Sequence, residues 1–197
     1  MKKYISITIY LFAIILHQGC SSEFDIIEDL KYSDYQLLDI DSNEVVFPNV
    51  ITNKVGIVGY IFTNCPDICP LTTNNMRLIQ EKLFQENEID FHLVSISFDP
   101  EVDKPSVLRG FTEIRDLNLS NWDFLTGNKP TIDKLLKKVG VIAFIGDSTT
   151  FKDGSKTYYY THTDRIQLID QEGRIRKNYL GSKINIKEIV ADVKKLL

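Results

Sequence analysis

The feature that most limits the fold of this chain is an apolar run that leads through two cysteines into a helix. Val55 to Thr63 is rich in β-branched and aromatic side chains and is apolar on both alternations, which is typical of a strand buried on both faces of a parallel or mixed sheet. Cys65 and Cys69 follow, and Pro70 suits the first turn of a helix, where its missing N–H costs nothing. The pattern predicts a strand, a short loop that carries both thiols, and a helix.

The position of the two thiols before a helix predicts their chemistry. The N-terminus of a helix carries a partial positive charge, which lowers the pKa of a nearby thiol. Thiolates in such a place bind metals or exchange disulfides, and the CxxxC spacing of Cys65 and Cys69 lets both sulfurs point at one ion. The spacing alone leaves a structural disulfide open as well, since such bonds are common in an oxidising compartment.

The composition fits one folded domain without a nucleic-acid partner. The chain has 197 residues, of which 43% are hydrophobic and 11% aromatic, enough for a normal core. Its net charge is −4, and no basic patch with interleaved aromatic residues is present.

Strand-like and helix-like segments alternate along the rest of the chain. The pattern predicts, in order, a hairpin over Tyr35 to Val50, a buried strand over Ile89 to Phe98, helices over Ser106 to Leu117 and Pro130 to Val139, an insertion or flexible loop around 140–156, one strand over Thr157 to Asp170, an antiparallel strand over Arg174 to Leu180, and a helix over Asn185 to Leu197. This order predicts an α/β fold, with a central mixed sheet flanked by helices.

The N-terminus has the pattern of an export signal. Lys2 and Lys3 precede an apolar run from Tyr4 to Leu16, whose 13 residues fall short of the roughly 20 that a spanning helix needs. Residues 1–19 are therefore interpreted as a signal peptide. Gly19 and Cys20 resemble the processing site of a bacterial lipoprotein, which makes Cys20 the expected lipidated residue.

Two alternatives to lipidation are an uncleaved signal anchor and an ordinary signal peptide cut near the same place. All three place the domain outside the cytoplasm. Residues 20–34 are predicted to be a tether, and residues 35–197 the folded domain. If Cys20 carries lipid, the mature chain keeps two thiols, Cys65 and Cys69.

Only two histidines remain beyond the signal region as candidate partners of these thiols. His92 lies inside a strand pattern, where a structural role is expected. His162 precedes the apolar run Ile166 to Ile169, near a strand start from which a side chain can reach a loop site. Two thiolates and an imidazole suit Cu(I), or Cu(II) with a further ligand. Zinc with an open fourth position is the main rival metal.

Four strings of residues, taken in order, resemble the Sco/SenC family of copper-binding assembly proteins for cytochrome c oxidase. They are GYIFTNCPDICP, SFDPEVDKP, WDFLTG and an H-x7-D-x2-G pattern that begins at His162. The likeness extends from about Tyr35 to the C-terminus, and CPDICP together with the later histidine is its specific core.

The resemblance implies a thioredoxin-like fold and a copper site, with Cu(I), Cu(II) or both. Carried over, the metal ligands are Cys65, Cys69 and His162. The implied location is the periplasm or an equivalent extracytoplasmic space, with a membrane anchor. The implied function is that of a metallochaperone for the dinuclear copper site of cytochrome c oxidase subunit II, with that subunit or its assembly factors as partners.

An enzymatic alternative is a thiol-disulfide oxidoreductase that uses Cys65 and Cys69 as a redox disulfide and keeps the partner's cysteines reduced. The wide CxxxC loop argues mildly against fast dithiol cycling. A peroxidase is the weakest alternative, since Arg77, the nearest arginine after the motif, is expected on the solvent side of its helix.

Three acidic residues match family positions near the site: Asp67, Asp99 and Asp103. They are expected to support the ligands or to dock a partner, and the alternative is that they belong to solvated turns. The chain departs from the family at three positions, where it has Lys104, Phe111 and Thr161. None of these removes a ligand.

Overall fold

The apolar run forms the strand β4 (Val55–Ile61), in which all seven residues are buried. β4 pairs in parallel with β5 (Phe91–Ser97), with Val55 opposite Phe91. On its other side it pairs antiparallel with β9 (Ile166–Ile169). Because neighbours cover both edges and packing covers both faces, the strand is apolar throughout, as the sequence predicted.

The structure, a computed structural model, describes residues 24–65, 68–86, 89–151, 153 and 156–197. The elements in chain order are β1 (Glu28–Asp29), β2 (Tyr35–Leu38), β3 (Glu44–Phe47), a 3-10 turn (Asn49–Ile51), β4, α1 (Ile68–Phe84), β5, α2 (Pro105–Ile114), β6 (Trp122–Leu125), α3 (Lys129–Lys138), β7 (Ala143–Thr150), β8 (Lys156–His162), β9, β10 (Arg174–Tyr179) and α4 (Ile186–Lys194).

The main sheet has six strands in the order β1-β10-β9-β4-β5-β6. β4, β5 and β6 are parallel, whereas β9 and β10 form an antiparallel hairpin beside β4. Parallel neighbours need a crossover, and α1 and α2 supply the two crossovers. The predicted mixed sheet flanked by helices is confirmed.

The helix α1 packs on this sheet through an apolar stripe. Met76, Ile79 and Leu83 recur at helical spacing and are at most 1% exposed. α1 contacts β4, β5 and the C-terminal helix α4. This packing fixes the start of α1 at the end of β4, which is where the cysteines lie.

The predicted N-terminal hairpin is confirmed, but two other predictions of local structure are wrong. β2 and β3 pair antiparallel, with Tyr35 opposite Phe47. The segment around 140–156, predicted to be an insertion or a flexible loop, contains β7, which pairs with β8 in a separate two-stranded sheet, so the flexible-loop alternative is wrong. The single strand predicted over Thr157 to Asp170 is two strands, β8 and β9, which residues 163–165 separate. β7 shows no clear period because nearly all of it is exposed.

The folded domain begins earlier than the predicted boundary at residue 35. Glu28 and Asp29 form the edge strand β1 beside β10, and Leu30 is fully buried. These three residues therefore belong to the domain and not to a tether. The predicted signal peptide, Cys20 and the first residues of the predicted tether lie outside the described residues. Within the described ranges, no helix is both long and apolar enough to cross a membrane.

Candidate metal centre

The two cysteines lie where β4 gives way to α1. Cys65 is half-buried in the connecting loop, and Cys69 is fully buried. The sequence predicted both thiols in the loop, but Cys69 lies in the first turn of α1. Its backbone N–H donates a hydrogen bond to Sγ of Cys65 over 3.5 Å. The first turn of α1 thus carries the side chain of Cys69 and also donates a backbone hydrogen bond to the sulfur of Cys65.

The third predicted residue, His162, is brought to the same place by β8. It is the last residue of that strand, and its Nε2 lies 3.9 Å from Sγ of Cys69. Its Nδ1 lies 3.2 Å from the carbonyl oxygen of Thr163. A proton on Nδ1 satisfies that carbonyl and leaves the lone pair of Nε2 directed at the thiols, which is the tautomer that a metal ligand requires.

The three donor atoms form one compact cluster. Sγ of Cys65, Sγ of Cys69 and Nε2 of His162 all lie within 4.8 Å of one another. An ion bound through bonds of about 2.3 Å to sulfur and about 2.0 Å to nitrogen separates its donors by about 4 Å. Small side-chain movements therefore suffice to place all three around one ion. Two sulfurs and an imidazole are a donor set for a soft or borderline metal.

A hydrogen bond and burial determine the protonation of the Cys69 thiol. The pKa of the Cys69 thiol lies well above its ordinary value, first because it hydrogen-bonds with Cys65 and second because it is buried. The sequence predicted a lowered pKa at this helix N-terminus, and for Cys69 that prediction is wrong in the metal-free protein. The hydrogen bond with Cys65 and the burial of the sulfur together outweigh the backbone hydrogen bond from Phe62, which acts in the opposite direction.

An aromatic cluster borders the imidazole of His162. The ring centroid of Phe98 lies 4.8 Å from that of His162, and the ring of Phe62 lies 6.2 Å away at an edge-on angle. Tyr160 packs against both phenylalanines, at 5.1 and 5.2 Å. These rings exclude water from one side of the site and restrict the imidazole to few orientations.

Asp103 stabilises the loop that carries Cys65 through hydrogen bonds from Thr63. Its carboxyl group is fully buried and accepts hydrogen bonds from the backbone N–H of Thr63 at 3.0 Å and from the Thr63 hydroxyl at 2.5 Å. The hydroxyl of Ser97 also donates to it, at 2.5 Å. Burial raises the pKa of Asp103, although these hydrogen bonds act in the opposite direction. Thr63 is two residues from Cys65, so Asp103 holds the loop that carries the thiol.

Asp99 supports the histidine strand. It is 3% exposed and accepts a hydrogen bond from the hydroxyl of Tyr158 at 2.6 Å and a longer one from Tyr160 at 3.4 Å. The alternative that Asp99 and Asp103 lie in solvated turns is therefore wrong. Asp67, the third predicted acidic residue, lies outside the described residues.

Sequence reasoning missed several of the residues that build the site. Thr63, Ser97 and Tyr158 carried no recognised signal, although the alternation of residues 158, 160 and 162 places Tyr158 and Tyr160 on the same face of β8 as the histidine. Asp164 was also missed. It accepts hydrogen bonds from the backbone N–H and the hydroxyl of Ser182, the latter at 2.6 Å, and so fixes the chain just after His162.

Other residues considered from the sequence lie away from the donor cluster. Nε2 of His92 lies within hydrogen-bond distance of Oδ2 of Asp123, at 2.8 Å, and His92 has the expected structural role. Arg77 pairs with Glu81 on the exposed side of α1, as expected. Nζ of Lys104 donates a hydrogen bond to the carbonyl of Pro100 at 2.7 Å.

Comparison with known proteins identifies a family. The family model described as SCO1/SenC matches residues 28–197. A SCO1/SenC family lipoprotein from Bacillus anthracis is 30% identical, with a TM-score of 0.69 and coverage of 88% of this chain and 95% of that one. Yeast Sco1 with copper bound is 28% identical, with a TM-score of 0.68 and coverage of 82% and 87%.

A third structure is that of BsSco, described as a member of the Sco family of cytochrome c oxidase assembly proteins in which a disulfide switch was identified. It is 29% identical to this chain, with a TM-score of 0.69 and coverage of 89% of this chain and 98% of BsSco.

The fold and the site define a thioredoxin-like protein with paired thiols between the central strand and the first long helix. A histidine that is distant in the sequence lies beside these thiols in the fold. The chain belongs to the SCO1/SenC family. The expected family and the expected thioredoxin-like fold are both confirmed.

The unequal thiols lead to a first prediction. In the reduced, metal-free protein, iodoacetamide is expected to alkylate Cys69 at least about tenfold more slowly than Cys65, because the thiolate is the nucleophile and Cys69 is both buried and protonated. Mass spectrometry of timed samples measures both rates. Cys65→Ser and Cys69→Ser variants isolate each thiol. Equal rates for the two cysteines would contradict the prediction.

Proposed function

We propose that this protein is a copper metallochaperone that binds copper through Cys65, Cys69 and His162 and delivers it during assembly of the dinuclear copper site of cytochrome c oxidase subunit II. The observation that carries the proposal is the cluster of two sulfurs and one imidazole nitrogen, which all lie within 4.8 Å of one another. Yeast Sco1, a relative of the same fold, has been solved with copper bound. The donor set suits Cu(I), and also Cu(II) when a further ligand is present.

Each proposed ligand has a distinct role in holding the cargo. Cys69 is fully buried in the first turn of α1, so its sulfur is the fixed donor of the site. Cys65 lies half-buried on a loop, and His162 half-buried at the end of a hairpin strand. Both thiols lose their protons when they bind the ion. A partner that approaches from solvent meets Cys65 and His162 first, and ligand exchange therefore begins at these two donors.

Copper binding is the direct test of the ligand set. Removal of a ligand is expected to weaken copper binding by more than the roughly 10- to 100-fold that loss of a supporting residue causes. Titration of the reduced full chain with Cu(I) and with Cu(II) is expected to give one ion per chain. Cys65→Ser, Cys69→Ser and His162→Ala are each expected to lose tight binding and the thiolate-to-Cu(II) absorption.

His92→Ala is the matched control for the histidine substitution, since His92 pairs with Asp123 away from the cluster. It is expected to bind copper as the unaltered chain does. A reduced protein that takes up no copper, or a His162→Ala variant with unchanged affinity and spectrum, would overturn the proposal.

A thiol-disulfide oxidoreductase is the second candidate function, and the two cysteines supply the observation that favours it. Cys65 is half-buried and Cys69, four residues later, is buried, and a half-buried thiol followed by a buried one suits attack by the first sulfur and resolution by the second. BsSco is a relative in which a disulfide switch was identified. In this alternative Cys65 attacks the partner's disulfide, which forms a mixed disulfide and releases one partner thiol. Cys69 then attacks the sulfur of Cys65, which releases the second partner thiol and leaves a Cys65–Cys69 disulfide.

The two candidate functions differ in their need for the histidine. A metallochaperone requires all three ligands, whereas a dithiol reductase requires the cysteines alone. In a cell without the endogenous gene, His162→Ala is therefore expected to fail to restore cytochrome c oxidase activity, while His92→Ala restores it. Cys65→Ser is expected to fail under either function. Full activity with His162→Ala would favour the reductase.

We further propose that the mature protein is a lipoprotein, anchored through Cys20 and exported to an extracytoplasmic space. The apolar run and the Gly19-Cys20 pair support this, and the B. anthracis relative is described as a lipoprotein. A Cys20→Ser variant is expected to lose its lipid mass and to leave the membrane fraction, whereas Cys65→Ser stays in it. Membrane association and mass that do not depend on Cys20 would contradict the anchor.

A further inference from the structure

The β7–β8 hairpin that carries His162 is a separate element of the fold. β7 and β8 form their own two-stranded sheet, and among the described residues they share no ladder with the six-stranded sheet that positions the cysteines. Much of the hairpin is open to solvent, including Phe144 at 54% and Ile145 at 55% exposure. Since a two-stranded hairpin is marginally stable alone, contacts with the domain must hold it in place.

One face of β8 supplies those contacts. Side chains alternate along a strand, so Tyr158, Tyr160 and His162 share a face while Tyr159 points the other way and is 51% exposed. The rings of Tyr158 and Tyr160 pack against each other at 5.8 Å. Tyr160 in turn packs against Phe62 and Phe98 of the domain.

The two tyrosine hydroxyls on this face of β8 both donate hydrogen bonds to one carboxyl group. Tyr158 donates to Oδ2 of Asp99 and Tyr160 donates to its Oδ1. Asp99 is itself fixed, because its backbone N–H donates to the hydroxyl of Ser97 at 3.1 Å and its carbonyl accepts from the backbone N–H of Asp103 at 2.8 Å.

The same short loop also reaches the cysteines. Ser97 donates to Asp103, and Asp103 accepts from Thr63, two residues before Cys65. Residues 97–103 therefore contact the loop that bears one thiol and the strand that bears the imidazole. These two segments lie almost one hundred positions apart in the sequence.

We propose that Asp99 is a positioning residue for His162. By accepting hydrogen bonds from the hydroxyls of Tyr158 and Tyr160, it holds β8 against the domain so that Nε2 stays within reach of the two sulfurs. The proposal rests on the proposed copper site for its functional meaning. Its structural part, the ordering of β8 by Asp99, stands on the hydrogen bonds alone.

Two measurements on the full chain test the proposal. The first is amide hydrogen exchange of the reduced, metal-free protein, followed by mass spectrometry of peptides that cover β4, β5, β7 and residues 156–165. The second is Cu(II) affinity, together with the hyperfine signal of the imidazole nitrogen in electron spin resonance. The variants are Asp99→Ala, Asp99→Asn and the double variant Tyr158→Phe with Tyr160→Phe.

The expected result is a local loss of order in the hairpin and a weaker site. Asp99→Ala and the double variant are expected to raise exchange in β7 and β8 by about tenfold or more, with β4 and β5 unchanged. Loss of a group that orients a metal ligand typically lowers affinity by about 10- to 100-fold. The imidazole signal is expected to weaken in the same variants. Asp99→Asn is expected to show exchange and Cu(II) affinity between those of the unaltered chain and those of Asp99→Ala, since its amide oxygen still accepts a hydrogen bond from one hydroxyl.

Tyr159→Phe is the matched control, because it removes the same hydroxyl from the opposite, solvent-facing side of β8. It is expected to behave as the unaltered chain in both measurements. Because the double variant keeps Asp99, the proposal remains testable if Asp99→Ala does not fold.

Two outcomes would overturn the proposal. In the first, exchange in β8 is unchanged in the double variant and in Asp99→Asn. In the second, exchange rises but Cu(II) affinity and the imidazole signal do not change. If the unaltered chain binds no copper, the proposed function fails, and the exchange measurement still decides whether Asp99 orders β8.

Discussion

The site depends on two carboxyl groups, Asp99 and Asp103, that are buried on the loop after β5. A buried carboxyl group must find hydrogen-bond donors, since a buried polar group left without a partner costs roughly 1–3 kcal/mol. Asp103 takes its donors from Thr63, next to the cysteine loop, and Asp99 takes them from Tyr158 and Tyr160 on the histidine strand. The hydrogen bonds that these two carboxyl groups accept therefore hold the cysteine loop and the histidine strand, which are distant in the sequence, against one loop.

The sequence predicted those parts of the fold whose signals are local. The apolar run of β4 and the stripe of Met76, Ile79 and Leu83 have their own periods, and the pairing of β2 with β3 follows from a polar turn between two apolar runs. β7 had no such signal, because a strand that is exposed on both faces needs no alternation. The edge strand β1 is two residues long and is defined by β10, so its own sequence predicts nothing.

The candidate site was predictable in its ligands but not in its support. The paired cysteines were evident from their spacing, and His162 was selected by resemblance to a family, since a lone histidine near a strand carries little information. The burial of Asp99 and Asp103 was not predictable, because an acid beside proline in a polar stretch has the local pattern of a solvated turn. Their donors lie about 40 residues before Asp103 and about 60 after Asp99, and only the folded chain brings them together.

Under the proposed function, the placement of the three donor residues on a loop, a helix and a hairpin bears on how a carrier releases its cargo. A site built entirely on rigid elements is preorganised, and preorganisation strengthens binding and slows release. Here one sulfur is fixed in the first turn of α1, whereas the imidazole sits on a hairpin outside the main sheet. The strength of the site then depends on how firmly the hairpin is held. Under the proposed function, the hydrogen bonds from Tyr158 and Tyr160 to Asp99 set that strength, and a partner that loosens the hairpin removes one ligand without disturbing the core.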